Sequence, residues 1–338
     1  MMNSIIKTDC DSIVKNSPVN WHKLENARIF LTGGTGFFGK WFMHSFVYLN
    51  RELHLNASMT VLSRAPGKFL SLNPSFINCA DIDFITGDLK NFGFVGRHFD
   101  FIIHAGASLG TKKDMKDNEE EVVASISDGT MHVLEYAKYT GAEKLLFTSS
   151  GAVYGIQPPE IPNISEESPA LPVSTYGKAK LKAESMCVES DINTSIARCF
   201  AFVGPYLPLD AQYAIGNFIH NLLLHEKITI KGDGRPYRSY LYTSDLMIWL
   251  WTILLEGKNN STYNVGSEEA FSIAELAKIV SDCSEHKIPY EILGTPNYDI
   301  PAPRYIPSTQ KAQRELGLKQ NVSMVDGIIR TIQWHMNK

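Results

Sequence analysis

The sequence predicts an α/β fold, a doubly wound parallel sheet with a smaller C-terminal α/β domain. Three observations carry this. Short apolar runs alternate with helix-like stretches from Arg28 to Val203. A glycine-rich turn joins the first run to the first helix. After Gly204 the regular alternation stops and the texture changes.

Taken in order, Arg28–Thr32 (RIFLT) reads as a buried parallel strand, with a helix from about Gly36 to Asn50. Ser58–Ser63, Asp81–Ile85 and Phe99–His104 are the next three strands. A helix covers about Glu119–Thr140, and Lys144–Thr148 (KLLFT) is a strand. Ser174–Ser190 is a helix and Thr194–Val203 a further strand. Repeated strand–helix units of this kind put helices on both faces of a parallel sheet. Residues 26–203 form this domain, with 236–260 returning to it. Residues 204–235 and 261–338 form the smaller domain. There Ser272-Ile273-Ala274-Glu275 has capping-box spacing, which opens a helix. Residues 1–25 are polar and read as a loose N-terminal extension. The proline-rich stretch 156–172 is a long loop, either a lid or a plain connection.

Composition narrows the functional classes. A net charge of -4 gives no general attraction to nucleic acid or to an anionic membrane. An anionic ligand would need a local basic cluster. The five cysteines are scattered without a CxxC pair, so neither a disulfide framework nor a zinc site is expected, and a reducing cytoplasm fits. Met1 to Lys15 has no apolar stretch of the signal-peptide kind. Leu246–Leu255, the most apolar run, is about half of a membrane span and reads as a buried helix. Trp249 and Trp251 within it read as core or dimer contact.

The first strand runs into Gly33-Gly34-Thr35-Gly36-Phe37-Phe38-Gly39. Small residues there let the backbone turn sharply and approach a pyrophosphate, and the helix N-terminus supplies free N–H groups and partial positive charge. This is the dinucleotide-binding signature of a Rossmann sheet. The end of strand two usually carries the acid that holds both ribose hydroxyls. Here Ser63-Arg64 stands instead, which leans towards a 2′-phosphate and NADP.

Tyr176 and Lys180 are spaced i, i+4, so both lie on one helical face. A free tyrosine has a pKa near 10, and lowering it about three units takes roughly 4 kcal/mol. An ammonium about 4 Å away supplies about that at an effective dielectric of about 20. Tyr176 can then remove a hydroxyl proton while hydride leaves the same carbon. Ser150, at the end of strand Lys144–Thr148, faces the same crevice and can hydrogen-bond the reacting oxygen. His104 reads as packed or hydrogen-bonded.

TGGTGFFG, SSGAVYG, YGKAK, RCFAFVGP and RSYLYTSD together resemble the extended short-chain dehydrogenase/reductases, the NAD-dependent epimerase/dehydratase group, from about Arg28 to Leu318. The resemblance implies bound NAD or NADP and a nucleotide-sugar substrate oxidised transiently, usually at C4. It implies Ser150, Tyr176 and Lys180 as the catalytic set. By position it implies cofactor contacts from Gly33, Thr35, Gly36, Phe37, Phe38, Gly39, Ser63 and Arg64. Asp88, Leu89, Ala105, Gly106 and Ala107, with Tyr176 and Lys180, complete that set. It implies substrate contacts from Ser150, Asn217, Arg238 and Arg304. It also implies a homodimer formed through helices, with Met131–Tyr139 and Ser174–Ser190 as the segments, and no metal.

The departures bear on the reaction. Water-expelling members place Asp-Glu after the catalytic hydroxyl, and decarboxylating relatives usually keep the glutamate; this chain has Gly151-Ala152. Neither can move a proton. Where the family often has asparagine, Ala201 stands. The expectation is therefore an NAD(P)-dependent nucleotide-sugar epimerase. An NADPH-dependent keto-sugar reductase is the alternative, with a dehydratase or decarboxylase behind it. A non-catalytic dinucleotide-binding regulator is the alternative of a different class.

Overall fold

A computed structural model describes residues 3–106, 119–210, 213–283 and 287–337. The apolar runs pair as expected. The strands β1 (Arg28–Thr32), β2 (Ser58–Ser63), β3 (Ile82–Thr86), β4 (Phe101–His104), β5 (Lys144–Ser150) and β6 (Thr194–Cys199) belong to one sheet. Short strands follow: β7 (Phe202–Val203), β8 (Ile228–Ile230), β9 (Tyr237–Arg238) and β10 (Leu241–Tyr242). Then β11 (Ser261–Val265) closes the main sheet, giving seven strands in the order β11-β6-β5-β4-β1-β2-β3. All its pairings are parallel. The strand order reverses between β1 and β4, so their carboxyl ends part and open the ligand crevice there.

Helices cover both faces. Phe37–Glu52 and the apolar helix Thr243–Glu256 pack on one side, where Phe42 meets Trp251 edge-on at 5.2 Å. Trp249 and Trp251 are both core residues here. Glu119–Thr140 and Thr175–Glu189 cover the other side over Phe30, Ile102 and Phe147. A separate cluster, including Ile215, Ile219, Leu276 and Ile328, underlies the C-terminal elements. These include β12 (Phe271–Ser272), β13 (Tyr290–Ile292) and β14 (Arg304–Tyr305). The capping box at Ser272 and Glu275 is formed in both directions.

Three readings change. The expected loose extension over 1–25 is ordered from residue 3 onward: Ser4–Asn16 is a helix, capped by the Asn3 side chain. Ile6, Cys10 and Ile13 form a buried stripe at helical spacing, too short to stand out in a polar segment. The strand expected over Thr194–Val203 is two strands, β6 and β7, with a break at Phe200-Ala201 where the chain leaves the main sheet. The expected boundary after residue 260 falls just before β11, which pairs with β6 in the main sheet. The 156–172 loop is pinned at Ile164, which bridges to Pro307, and at Glu166, which accepts from the Asn264 amide at 2.6 Å.

Candidate active site

The crevice is built from strand ends. β1 delivers the glycine turn, β4 delivers Ala105 and Gly106, and β5 delivers Ser150. Gly33 has φ of 71°, and a Cβ there would lie 2.4 Å from the Ala105 carbonyl oxygen. Gly39 is equally constrained, its Cβ falling 2.2 Å from the Gly34 Cα. Both serve close packing. Gly36 differs: its Cβ would meet only the Gly33 carbonyl oxygen, at 3.3 Å, so its other side is open. Gly36 is also the N-cap of helix Phe37–Glu52 and makes no side-chain cap. Thr35 and Gly36 are exposed at this mouth. An open cradle beneath uncapped first-turn N–H groups fits a pyrophosphate.

The rest of the dinucleotide path is partly assembled. Thr32 holds the turn, accepting from the Gly106 amide at 3.1 Å and bonding His104 Nδ1 at 2.8 Å. His104 Nε2 bonds Thr130 at 3.0 Å, and burial draws the imidazole down to about 3, so it stays neutral. Leu89 reaches the same edge, 3.3 Å from where a Cβ of Gly106 would stand. Asp88 accepts from the Lys90 amide at 3.1 Å. Phe38 packs edge-on against Phe202 at 5.3 Å, and Phe37 meets both cores. At the end of β2, Ser63 is buried and Arg64 exposed. Ala107 lies outside the described residues.

Ser150 ends β5 and caps the short turn Gly151–Tyr154, accepting from the Ala152 amide at 3.2 Å. Ser174 caps the next helix, accepting from Gly177 at 3.1 Å, and so sets Tyr176 in its first turn. Burial pushes the Tyr176 phenol up most strongly. The neighbouring Tyr305 phenol also pushes its pKa up, and hydrogen bonding to the Ser150 hydroxyl pulls it down. Lys180 follows Tyr176 by one helical turn. Its ammonium donates to the Thr148 carbonyl at 2.8 Å and stands 6.0 Å from the centroid of the Tyr176 ring. It also lies 4.7 Å over the Phe147 ring. Burial lowers Lys180 to about 8.

Behind the strand end, Arg198 donates to Glu184 at 2.7 Å with both side chains buried, and Ser149 donates to the same carboxylate. This pair braces the residue next to Ser150. Of the predicted substrate contacts, Arg238 is brought to the crevice through β9, beside Tyr305. Asn217 is exposed on helix Ala214–Leu223. Arg304 donates to the Pro162 carbonyl at 3.3 Å and covers the Tyr237 ring at 4.8 Å, while Arg238 donates to the Tyr237 carbonyl at 2.8 Å. The residue the sequence left unmarked is its neighbour, Tyr305, whose ring is tilted against Phe200 with centroids 4.7 Å apart and whose oxygen lies 2.7 Å from where a Cβ of Gly151 would stand. A tyrosine next to a candidate arginine was the available signal.

Residues 29–266 match the family model described as the NAD dependent epimerase/dehydratase family. The chain belongs to that family. Among its relatives is "UDP-glucuronic acid decarboxylase 2" of Arabidopsis thaliana, 30% identical over 220 residues, 63% of this chain and 48% of the relative. That match spans about half the relative's length. A "dTDP-glucose 4,6-dehydratase" of Streptomyces niveus is 26% identical over 322 residues, covering 91% of this chain and 92% of the relative. Among solved structures, the UDP-glucuronic acid 4-epimerase of Bacillus cereus, with UDP-glucuronic acid and NAD, aligns with a TM-score of 0.77 at 22% identity. It covers 92% of this chain and 99% of that one. Within the family, then, three reactions stand near this fold. Among the described residues no helix is long and apolar enough to cross a membrane, and no group of three His, Cys, Asp or Glu side chains could hold a metal ion.

Proposed function

We propose that this chain is a nucleotide-sugar epimerase acting by transient oxidation at sugar C4. One observation carries the reading: Ser150 at the carboxyl end of β5 interacts with Tyr176 in the first turn of helix Thr175–Glu189, while the two positions after Ser150 are Gly151 and Ala152. Hydroxyl groups alone support removal and return of one proton. They supply no acid–base pair for the expulsion of water, which weighs against a dehydratase.

The glycine turn, Leu89 and Ala105-Gly106 would hold NAD or NADP, with Lys180 and Tyr176 near the reacting end. Bound there, the dinucleotide supplies a hydride acceptor and donor. Tyr176 takes the proton from the sugar hydroxyl and later returns it. Ser150 hydrogen-bonds the same oxygen. Arg238 offers a fork of N–H donors to a diphosphate. Asn217, on helix Ala214–Leu223, stands as a second contact to the same group. Met131, Tyr139 and Val188 are exposed on the two helices expected to pair copies of the chain, which supports a homodimer.

Arg64 favours a second reading, an NADPH-dependent keto-sugar reductase, because no acid ends β2. Gentle unfolding separates the two. An epimerase returns its hydride each turnover and retains the dinucleotide, so release of one NAD per chain supports it. Protein that yields none and oxidises added NADPH with a keto sugar overturns it.

A further inference from the structure

The stretch from Gln157 to Ile164 runs as a strap beside Arg304–Ser308. Gln157 comes shortly after the turn Gly151–Tyr154 and is 5% exposed. Its Nε2 donates to the Ile161 and Pro162 carbonyls, both at 2.9 Å. Its Oε1 accepts from the Ile306 amide, also at 2.9 Å. Two carbonyls and one N–H admit only this orientation of the side-chain amide. The Pro162 carbonyl takes a second donor, Arg304 Nε, at 3.3 Å. Gln157 thus grips β14 at both ends, through Arg304 and through Ile306.

The strap continues to the main sheet. Asn163 donates to the Pro307 carbonyl at 3.2 Å. The Ile164 amide donates to the Ile306 carbonyl at 2.9 Å, and the Ile164 carbonyl accepts from the Ser308 amide at 2.8 Å. Asn264, on β11, donates to the Ile164 and Ser308 carbonyls at 3.0 and 3.1 Å. Among the described residues β14 pairs only with β9, in the small sheet β12-β9-β14. The strap therefore links that small sheet to the seven-stranded one. Pro158, Pro159 and Pro162 have fixed φ and no N–H, so side chains supply the donors that the strap's carbonyls need.

Arg238 lies on β9, opposite Tyr305 of β14. We propose that Gln157 is a positioning residue for Arg238: by holding the strap to β14 it fixes where β9 stands, and so where the Arg238 fork meets the substrate diphosphate. Bidentate pairing depends on such placement, because both N–H groups have to reach their oxygens together. This rests on Arg238 being the diphosphate contact of the function proposed above.

The test uses the full chain loaded with NAD+ or NADP+, whichever binds more tightly. UDP, dTDP, GDP and CDP are titrated calorimetrically, and the tightest serves as the probe. Gln157→Leu removes all three bonds and should bind the probe about tenfold more weakly, with dinucleotide affinity unchanged. Asn163→Ala loosens the same strap at a partly exposed position, with little risk to folding, and should weaken the probe about threefold. Arg238→Lys keeps the charge and loses the fork. In that background neither change should weaken the probe further, because the effect passes through the guanidinium. Hydrogen exchange over residues 304–308 should quicken at least about tenfold in Gln157→Leu. Unaltered probe binding by both variants overturns the proposal, as does exchange that does not quicken. A loss that adds in full to that of Arg238→Lys also overturns it and leaves the proposed function standing. Wild-type protein that binds none of the four diphosphates overturns the proposed function, and this role of Gln157 with it.

Discussion

The Lys180 ammonium donates to the Thr148 carbonyl at 2.8 Å, within the interior of the protein. Burial lowers this amine from 10.5 to about 8. The folded state therefore binds its proton less tightly than the unfolded chain does. Stability lost to burying the charge is regained as pH rises from about 8 towards 10.5. Replacing a buried cation by an apolar side chain of similar size is often neutral or stabilising. Lys180→Met should keep or raise the denaturation midpoint at pH 7, remove the alkaline rise, and lower turnover by about 100-fold or more. Denaturant titrations at several pH values beside rate measurements check this. A strongly destabilised variant with normal turnover would show that the amine is structural.

Asp9 ties the two ends of the chain together. It accepts from the Tyr242 hydroxyl at 2.6 Å and from Arg330 at 2.8 Å, and burial raises its carboxyl to about 6. A raised acid is protonated more readily in the folded state. Its contribution is thus largest at low pH and falls as pH rises from about 4 through 6. Asp9→Asn should flatten that part of the stability profile. Equal slopes in wild type and variant would contradict it.

Two glycines of the turn should respond differently. Gly33→Ala puts a methyl 2.4 Å from the Ala105 carbonyl oxygen at a left-handed backbone, so folding should suffer by about 2 kcal/mol or more. Gly36→Ala adds a methyl on the open side, where 3.3 Å separates it from the nearest atom. It should fold normally and bind dinucleotide at least tenfold more weakly. Melting curves and calorimetric titration with NAD+ distinguish the two effects.

Glu184 and Arg198 form a buried pair at 2.7 Å. Glu184→Ala strands the guanidinium and should cost about 3–5 kcal/mol. The double replacement of both residues by Met should recover most of this, because no charge is then left unpaired. A double-mutant cycle in denaturant measures the coupling, and additive losses would refute the bracing role.

Much of the sheet was legible because a parallel strand buried on both faces reads as an unbroken apolar run, as in RIFLT and KLLFT. The glycine turn and the Tyr176–Lys180 spacing were legible for similar local reasons. What escaped depends on distant segments. The stripe Ile6, Cys10, Ile13 gains meaning against the helices Phe37–Glu52 and Thr243–Glu256, and Asp9 through Tyr242 and Arg330. The direction of the Lys180 amine follows from a carbonyl on β5, which helix spacing does not show. Tyr305 reaches Ser150 because β14 pairs with β9, a contact between two-residue strands that leave no periodic signal.

The central claim is proton transfer at a sugar hydroxyl by Tyr176 without loss of atoms from the substrate. It is tested most directly by incubating the protein, and its Tyr176→Phe variant, with a panel of nucleotide sugars read by mass spectrometry and NMR. The account predicts one sugar whose mass is unchanged and whose C4 configuration inverts, with the variant slower by at least about 100-fold. A product lighter by one water or by carbon dioxide, or undiminished turnover by the variant, would contradict it.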